Sequence, residues 1–230
     1  NYKNSMNIAI IPARGGSKRI KNKNIKNFFG KPIISYAIKC AKDSKIFDKI
    51  IVSSDSKEII KVANKFGAET PFVRPKNISK DTTSTIKVIK HAIKWLQKNG
   101  DKPKFICCIY ATTPLMKPED LKNSFKNIKK KSFVISAAKY SYPIQRSFYL
   151  KNNKIKLYNY SKRSISSQKL EATFHDAGQF YWGKVNAWLN NKSLLNNDAY
   201  AFKLPQLRVQ DIDDLEDWKI AEKLFKLKYK

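Results

Sequence analysis

Short unbroken apolar runs alternate along this chain with longer stretches whose apolar residues recur roughly every three to four positions, the pattern of buried strands alternating with amphipathic helices. Residues 7–12 hold Ile8, Ile10 and Ile11 and predict a buried first strand. Residues 32–44 place apolar side chains at 33, 34, 37, 38 and 41, one face of a helix with Pro32 in its first turn. Residues 49–55 predict a second strand whose Ser-Ser-Asp end caps a helix over 57–66, and Gly67 stops that helix. A short extended piece at 71–72 precedes a long helix over 82–98, with Ile86, Ile89, Ile93 and Leu96 on one side, and a third strand at 105–110. Pro118 opens a helix over 118–129, and 132–140 predicts a central strand. The last strands fall at 179–182 and 201–204, before a closing helix at 215–227 capped by Asp213 or Asp214. This order predicts a three-layer α/β/α, Rossmann-like domain with a mostly parallel sheet, one domain over 6–230. Residues 141–174 break the pattern: SFYLKNNKIKLY alternates apolar and polar residues about a Lys-Asn-Asn turn and predicts a β-rich hairpin.

Composition changes this picture little. The 230 residues suffice for one full core. Lys and Arg total 47 against 18 Asp and Glu, a net charge of +29, which ordinarily directs attention to nucleic acid or an anionic membrane. Arg, however, stands only at 14, 19, 74, 146, 163 and 208, while Lys and Asn spread over ordinary helix faces such as Lys57, Lys61 and Lys65. That spread reads as compositional drift, so no nucleic acid partner is expected. No apolar run approaches the ~20 residues of a membrane span and no leader pattern opens the chain, so no membrane partner and a cytoplasmic location are expected. Cys40, Cys107 and Cys108 lie in apolar surroundings without CxxC spacing and predict buried thiols in a reducing compartment. Met6 is the candidate natural start, and residues 1–5 stand outside the predicted fold.

The chemistry concentrates just after the first strand. Gly15 and Gly16 permit a tight turn that brings backbone N–H groups close to an anion, and Arg14, Lys18, Arg19 and Lys23 surround it. This phosphate cradle is neither GxxxxGK[ST] nor GxGxxG. Arg19 also reads as a solvated surface residue. Asp211 and Asp213, one residue apart, put two carboxylates on one face of an extended segment, where they can hold Mg²⁺; acidic pairs also cap helices, and both readings stand. No Ser-His-Asp or Cys-His set points to covalent catalysis.

The string A-R-G-G-S-K-x-x-x-x-K-N at 13–24, SSDS at 53–56, FVRP at 72–75, DTTST at 81–85, YATTPL at 110–115 and DIDDLEDW at 211–218 resembles, in order and spacing, the CMP-sugar-acid synthetases. These cytidylyltransferases activate nonulosonic acids, and the resemblance runs from about Asn7 to Leu224. HDAGQFYWG at 175–183 is most similar to the pseudaminic acid branch. The resemblance implies a nucleotidyltransferase fold, CTP and a nonulosonic acid as substrates, Mg²⁺ as cofactor, and a homodimer formed through the 141–174 arm. It implies that Arg14, Lys18 and Lys23 grip the triphosphate, with Gly15, Gly16, Ser17 and Asn24 in the same loop. It further implies that Arg74 meets the cytosine edge, that Asp81, Thr83, Ser84 and Thr85 line the base, and that Asp211 and Asp213 hold the metal. The 81–85 loop equally reads as a helix N-cap, and both roles can hold. Tyr110, Ala111 and Met116 stand where the sialic acid pattern QPTSPLR has Gln, Pro and Arg, near the base and sugar sites. His175, Asp176, Gln179 and Tyr181 offer a polar and aromatic wall for a deoxy sugar with acylamino groups; His175 also reads as structural. Alternatives are the same reaction on legionaminic, N-acetylneuraminic or 3-deoxy-manno-octulosonic acid, a non-catalytic polyanion binder on this fold, or a nucleotide-binding subunit without turnover.

Overall fold

The computed structural model describes residues 6–158, 165–190 and 193–228. It begins with β1 (Met6–Pro12), the two-residue pair β2 (Asn27–Phe28) and β3 (Lys31–Pro32), α1 (Ile34–Ser44), β4 (Lys49–Ser53), α2 (Lys57–Lys65) and α3 (Thr85–Lys98). β5 (Pro103–Ile109), α4 (Pro118–Ile128), β6 (Phe133–Lys139), β7 (Phe148–Lys151) and β8 (Lys154–Leu157) follow. The chain ends with β9 (Phe174–Lys184), α5 (Val185–Asn190), β10 (Ala199–Lys203) and α6 (Leu215–Lys228).

Six strands form one sheet in the order β10-β6-β9-β5-β1-β4. β1 runs parallel to β4 and β5, β6 runs parallel to β10, and β9 is antiparallel to both β5 and β6. The sheet is therefore mostly parallel, with β6 one place in from an edge rather than central as the sequence predicts. Alternation along the strands feeds two apolar layers. Ala9, Ile11, Val52, Cys107, Ile109 and Trp182 pack toward α1, α2 and α4, while Ile8, Ile10, Ile51, Ile106, Cys108 and Tyr181 pack toward α3 and α5. A third cluster joins Trp218, Ala221 and Phe225 of α6 to Ile20, Phe28, Ile33 and Ile212, which fixes both the loop after β1 and the segment before α6.

Several boundaries differ from the sequence reading, for local hydrogen-bonding reasons. Pro32 belongs to β3, and α1 begins at Ile34. The cap of α2 is Ser56, whose Oγ accepts the Ile59 N–H at 3.4 Å, rather than the preceding Ser-Ser-Asp. Residues 82–84 are not helical, because Ser84 caps α3 by accepting the Lys87 N–H at 3.4 Å. The extended piece near 71–72 is two isolated bridges, Glu69 to Ile51 and Val73 to Ser54. Asp214 caps α6, its Oδ1 accepting N–H groups of Glu216 at 2.9 Å and Asp217 at 3.0 Å, which leaves Asp213 for the cleft described below. β7 and β8 form the expected hairpin, turned at Asn152 and Asn153 with φ of 51° and 59°. Part of that arm, 159–164, and residues 1–5 lie outside the described residues. The three cysteines are buried thiols, and burial pushes Cys107 and Cys108 up. Among the described residues no helix is long and apolar enough to cross a membrane.

From β1 the chain moves to β4 on one side and returns to β5 on the other. The carboxyl end of β1 is thus a point where strand order reverses, the place where open α/β sheets leave a crevice for ligands.

Candidate active site at the strand carboxyl ends

That crevice is a cleft of about 270 Å³ lined by Pro12, Arg14, Ser17, Lys23 and Asn24 from the first loop, Arg74 and Ser79 through Asp81, and Thr83 and Thr85 at the start of α3. Tyr110 beyond β5, with Asp211 and Asp213 ahead of α6, completes it. Most of the residues singled out in the sequence therefore converge although they are separated by up to two hundred positions. The loop is held from inside. The Gly15 N–H donates to Asp55 Oδ1 at 2.9 Å, and the amide of buried Asn24 donates to the Arg14 carbonyl at 2.9 Å. A Cβ on Gly15 would stand 2.9 Å from that of Ser56, so the close approach of loop and α2 requires glycine there. Gly16 has open space around it.

Carboxylates tie down the four cations. Arg14 and Lys18 both engage Asp81, Lys18 at 3.0 Å. Arg19 reaches Asp213 at 2.8 Å, and Lys23 lies 3.7 Å from the same carboxylate while donating to the Ile212 carbonyl at 2.5 Å. Arg19 is thus both solvated, with its side chain 64% exposed, and turned to Asp213. Ser84 caps α3 instead of lining the cleft.

Arg74 sits deeper. It is 4% exposed, its Nε donates to Ser79 Oγ at 3.2 Å, and its Nη2 lies 3.8 Å from Asp55 with no hydrogen-bond partner among the described residues. Desolvation pulls its pKa down and the Arg14 charge adds to this, while Asp55 opposes them. A buried guanidinium edge without a hydrogen bond is costly unless a ligand completes it.

Asp211 and Asp213 flank buried Ile212, so both carboxylates turn to the cleft while the residue between them enters the α6 core. Desolvation pushes the Asp211 carboxyl above the usual carboxylate range, and the Asp213 charge pushes it further. Two hard oxygen donors strained by mutual repulsion suit a divalent cation that keeps water and phosphate oxygens for its other ligands. Among the described residues no group of three or more His, Cys, Asp or Glu supplies a fuller protein cage.

The residues expected to meet the sugar divide. His175 and Asp176 line a second cavity of about 590 Å³ with Tyr140, Phe174 and Tyr200. Gln179 and Tyr181 are 3% and 2% exposed and line neither cavity. Gln179 Nε2 donates to the Arg208 carbonyl, and the Tyr181 hydroxyl donates to the Asp176 carboxylate, 2.9 and 2.7 Å from its two oxygens. The cause is a bulge in β9: Ile135 pairs with Tyr181 but Ala137 already pairs with Asp176, so four residues of β9 oppose Ser136 alone. Ser136 Oγ accepts the N–H groups of Gln179 and Phe180 at 3.3 and 3.1 Å, and Gly178, with φ of 61°, turns the chain beside Asp211.

Residues 8–217 match the family described as cytidylyltransferase. The chain belongs to the cytidylyltransferase family. It is 43% identical over 226 residues to a pseudaminic acid cytidylyltransferase of Campylobacter jejuni, covering 97% of each chain. It is 34% identical over 218 residues to a Helicobacter pylori protein named for that activity and for a UDP-sugar hydrolase, covering 94% of this chain and 42% of that one. The solved structure of CMP:2-keto-3-deoxy-manno-octonic acid synthetase complexed with CTP superposes with a TM-score of 0.72 at 14% identity, covering 97% of this chain and 100% of that chain, a likeness of fold.

Three features of this family member were not read from its sequence. Asp55 looked like part of a helix cap, yet it joins the cradle backbone to Arg74. Gly178 inside an apolar strand was the available signal for the bulge. The third feature, the pairing of Asp120 with Arg208, has no local signal, since 88 residues separate them. Arg208 makes a bidentate pair with the buried Asp120, one arm at 3.1 Å, and Asp120 also accepts the Lys117 N–H at 3.0 Å. The pair anchors the segment that carries Asp211 to the start of α4. Breaking such a pair leaves an uncompensated buried charge, so Asp120→Ala is expected to cost about 3 kcal/mol of stability in urea denaturation. Asp120→Ala combined with Arg208→Met should cost less than the sum of the single changes.

Proposed function

We propose that this cytidylyltransferase joins CMP from CTP to a nonulosonic acid, pseudaminic acid first among them, and releases pyrophosphate. The observation that carries the reading is Arg74: its buried, incompletely hydrogen-bonded guanidinium lines a cleft that Arg14 and Lys23 also line, with Lys18 and Arg19 paired from outside to its carboxylates Asp81 and Asp213. A pyrimidine offers its O2 and N3 to such a planar fork, and Thr83 and Thr85 in the same cleft lining offer hydroxyls to the 4-amino group that distinguishes cytosine from uracil. The choice of sugar acid rests on the 43% identity to the Campylobacter jejuni enzyme over nearly the full length of both chains.

In this reading Arg14, Lys18 and Lys23 bind the triphosphate and meet the charge that grows on the departing pyrophosphate. The anomeric hydroxyl of the acid attacks the α-phosphorus; the new P–O bond forms as the bond to the bridging α–β oxygen breaks, and the hydroxyl proton passes to solvent. Asp211 and Asp213 would hold Mg²⁺, which when bound supplies Lewis-acid polarisation of the α-phosphate and a template for the acid. Tyr110, its hydroxyl 3.0 Å from Thr85 Oγ1, would contact the nucleotide. The reaction would run in the cytoplasm, in keeping with three buried thiols. Residues 6–230 would act as one domain.

The β7–β8 arm leaves Phe148, Leu150 and Ile155 at 51, 63 and 60% exposure, an apolar surface of the kind that marks a protein interface. A second copy of this chain would cover it.

Purified protein with CTP and Mg²⁺ should release pyrophosphate with pseudaminic acid and yield a CMP-sugar by mass spectrometry. Asp211→Asn should abolish release, and Arg74→Lys should raise the KM for CTP about tenfold, as expected for loss of a charged hydrogen bond. Silence with pseudaminic, legionaminic and N-acetylneuraminic acids alike would rule the reading out. Light scattering should give a dimer for the native chain and a monomer for Leu150→Asp combined with Ile155→Asp; equal masses would dismiss the arm as the interface.

A further inference from the structure

The cradle carries no uncompensated cation among the contacts described above. Arg14 and Lys18 meet Asp81, and Arg19 and Lys23 meet Asp213. The two carboxylates differ in setting. Asp213 is held by its own segment, its N–H donating to Asp217 Oδ2 at 2.9 Å next to buried Ile212. Asp81 stands on the short loop between the turn at Lys76–Ile78 and the Ser84 cap of α3; the two side chains are similarly exposed, 40% for Asp81 and 46% for Asp213, so the difference lies in the segment that carries each. It bridges an Arg and a Lys as a phosphate oxygen pair would, with charge-assisted contacts to both.

We infer that Asp81 is an internal stand-in for the triphosphate: its carboxylate occupies Arg14 and Lys18 in the free protein and must leave them when a polyphosphate enters. The inference rests on the reading of residues 14–23 as a phosphate cradle. Asp81 thereby sets how tightly the cleft holds polyphosphate. It keeps two like charges from repelling one another in the empty cleft, and by returning to them it favours departure of a polyphosphate product. The negative charge of Asp81 is repelled by the incoming phosphates, so its exchange opposes binding twice, through the lost ion pairs and through like-charge proximity. A residue that merely lined a base pocket would have no such effect on a ligand without a base.

The test uses inorganic tripolyphosphate, which has neither base nor sugar, and cytidine, which has no phosphate, each titrated by calorimetry into the native protein, Asp81→Asn and Asp81→Ala. Tripolyphosphate should bind both variants about fivefold more tightly than the native protein, the scale of an exposed ion pair removed from the free state. Cytidine should bind all three equally. Tripolyphosphate binding that is unchanged or weaker in both variants overturns the stand-in role, as does a parallel change in cytidine affinity, which would mark Asp81 as a structural support. If the native protein turns over CTP while the tripolyphosphate affinities coincide, only the role of Asp81 fails. If tripolyphosphate binds none of the three, the phosphate cradle itself fails with it.

Discussion

Arg14, Lys18, Arg19 and Lys23 arise within ten positions of a chain with a net charge of +29, and their mutual repulsion has to be offset before the loop after β1 can take one shape. The offset comes from carboxylates delivered by remote segments. Asp81 approaches from the loop before α3, Asp213 from the segment before α6, and Asp55 holds the Gly15 N–H from the end of β4. The cleft therefore exists only when the first, middle and last parts of the chain are all in place. Each of these pairs is partly exposed, so its worth as stability is small; its consequence is position, since a cradle collapsed against itself would present no phosphate-sized opening.

Two buried features make those remote segments arrive in register. The bulge in β9 lets the start of the strand line the His175 cavity while its displaced N–H groups are satisfied on Ser136 and Gly178 is brought against Asp211. The Asp120–Arg208 pair, together with the Gln179 amide on the Arg208 carbonyl, ties the chain after β10 to α4 and to β9. Ile212 then enters the aromatic cluster of Phe28, Trp218 and Phe225, whose rings meet edge to face at 5.2 to 5.4 Å. Alternation around Ile212 does the rest and turns both neighbouring carboxylates into the cleft.

Much of this was legible in the sequence because its determinants are local. Strand and helix periods gave the layers, Gly67 and the Asn-Asn turn gave boundaries, and the basic glycine loop directly after a strand gave the cradle. What was not legible depends on contacts between distant positions. Ser56 and Ser84 each take a cap that a neighbouring polar residue was equally equipped to take, and only the folded backbone decides between them. Gln179 and Tyr181 read as a ligand wall since their chemistry suits one, but the bulge turns both inward to hydrogen bonds with Arg208 and Asp176. Asp81, which lines the cleft with Thr83 and Thr85, also pairs with two cations of the first loop. Charge pairing over sixty or more positions has no periodic trace.

A crystal structure of the protein with CTP and Mn²⁺ as an anomalous stand-in for Mg²⁺ tests the reading of the cleft most directly. The cytosine should lie against Arg74 with its phosphates on Arg14, Lys18 and Lys23, and the anomalous peak should fall between Asp211 and Asp213. A nucleotide seated in the His175 cavity, or one whose base turns away from Arg74 with no cation at the aspartate pair, would contradict it.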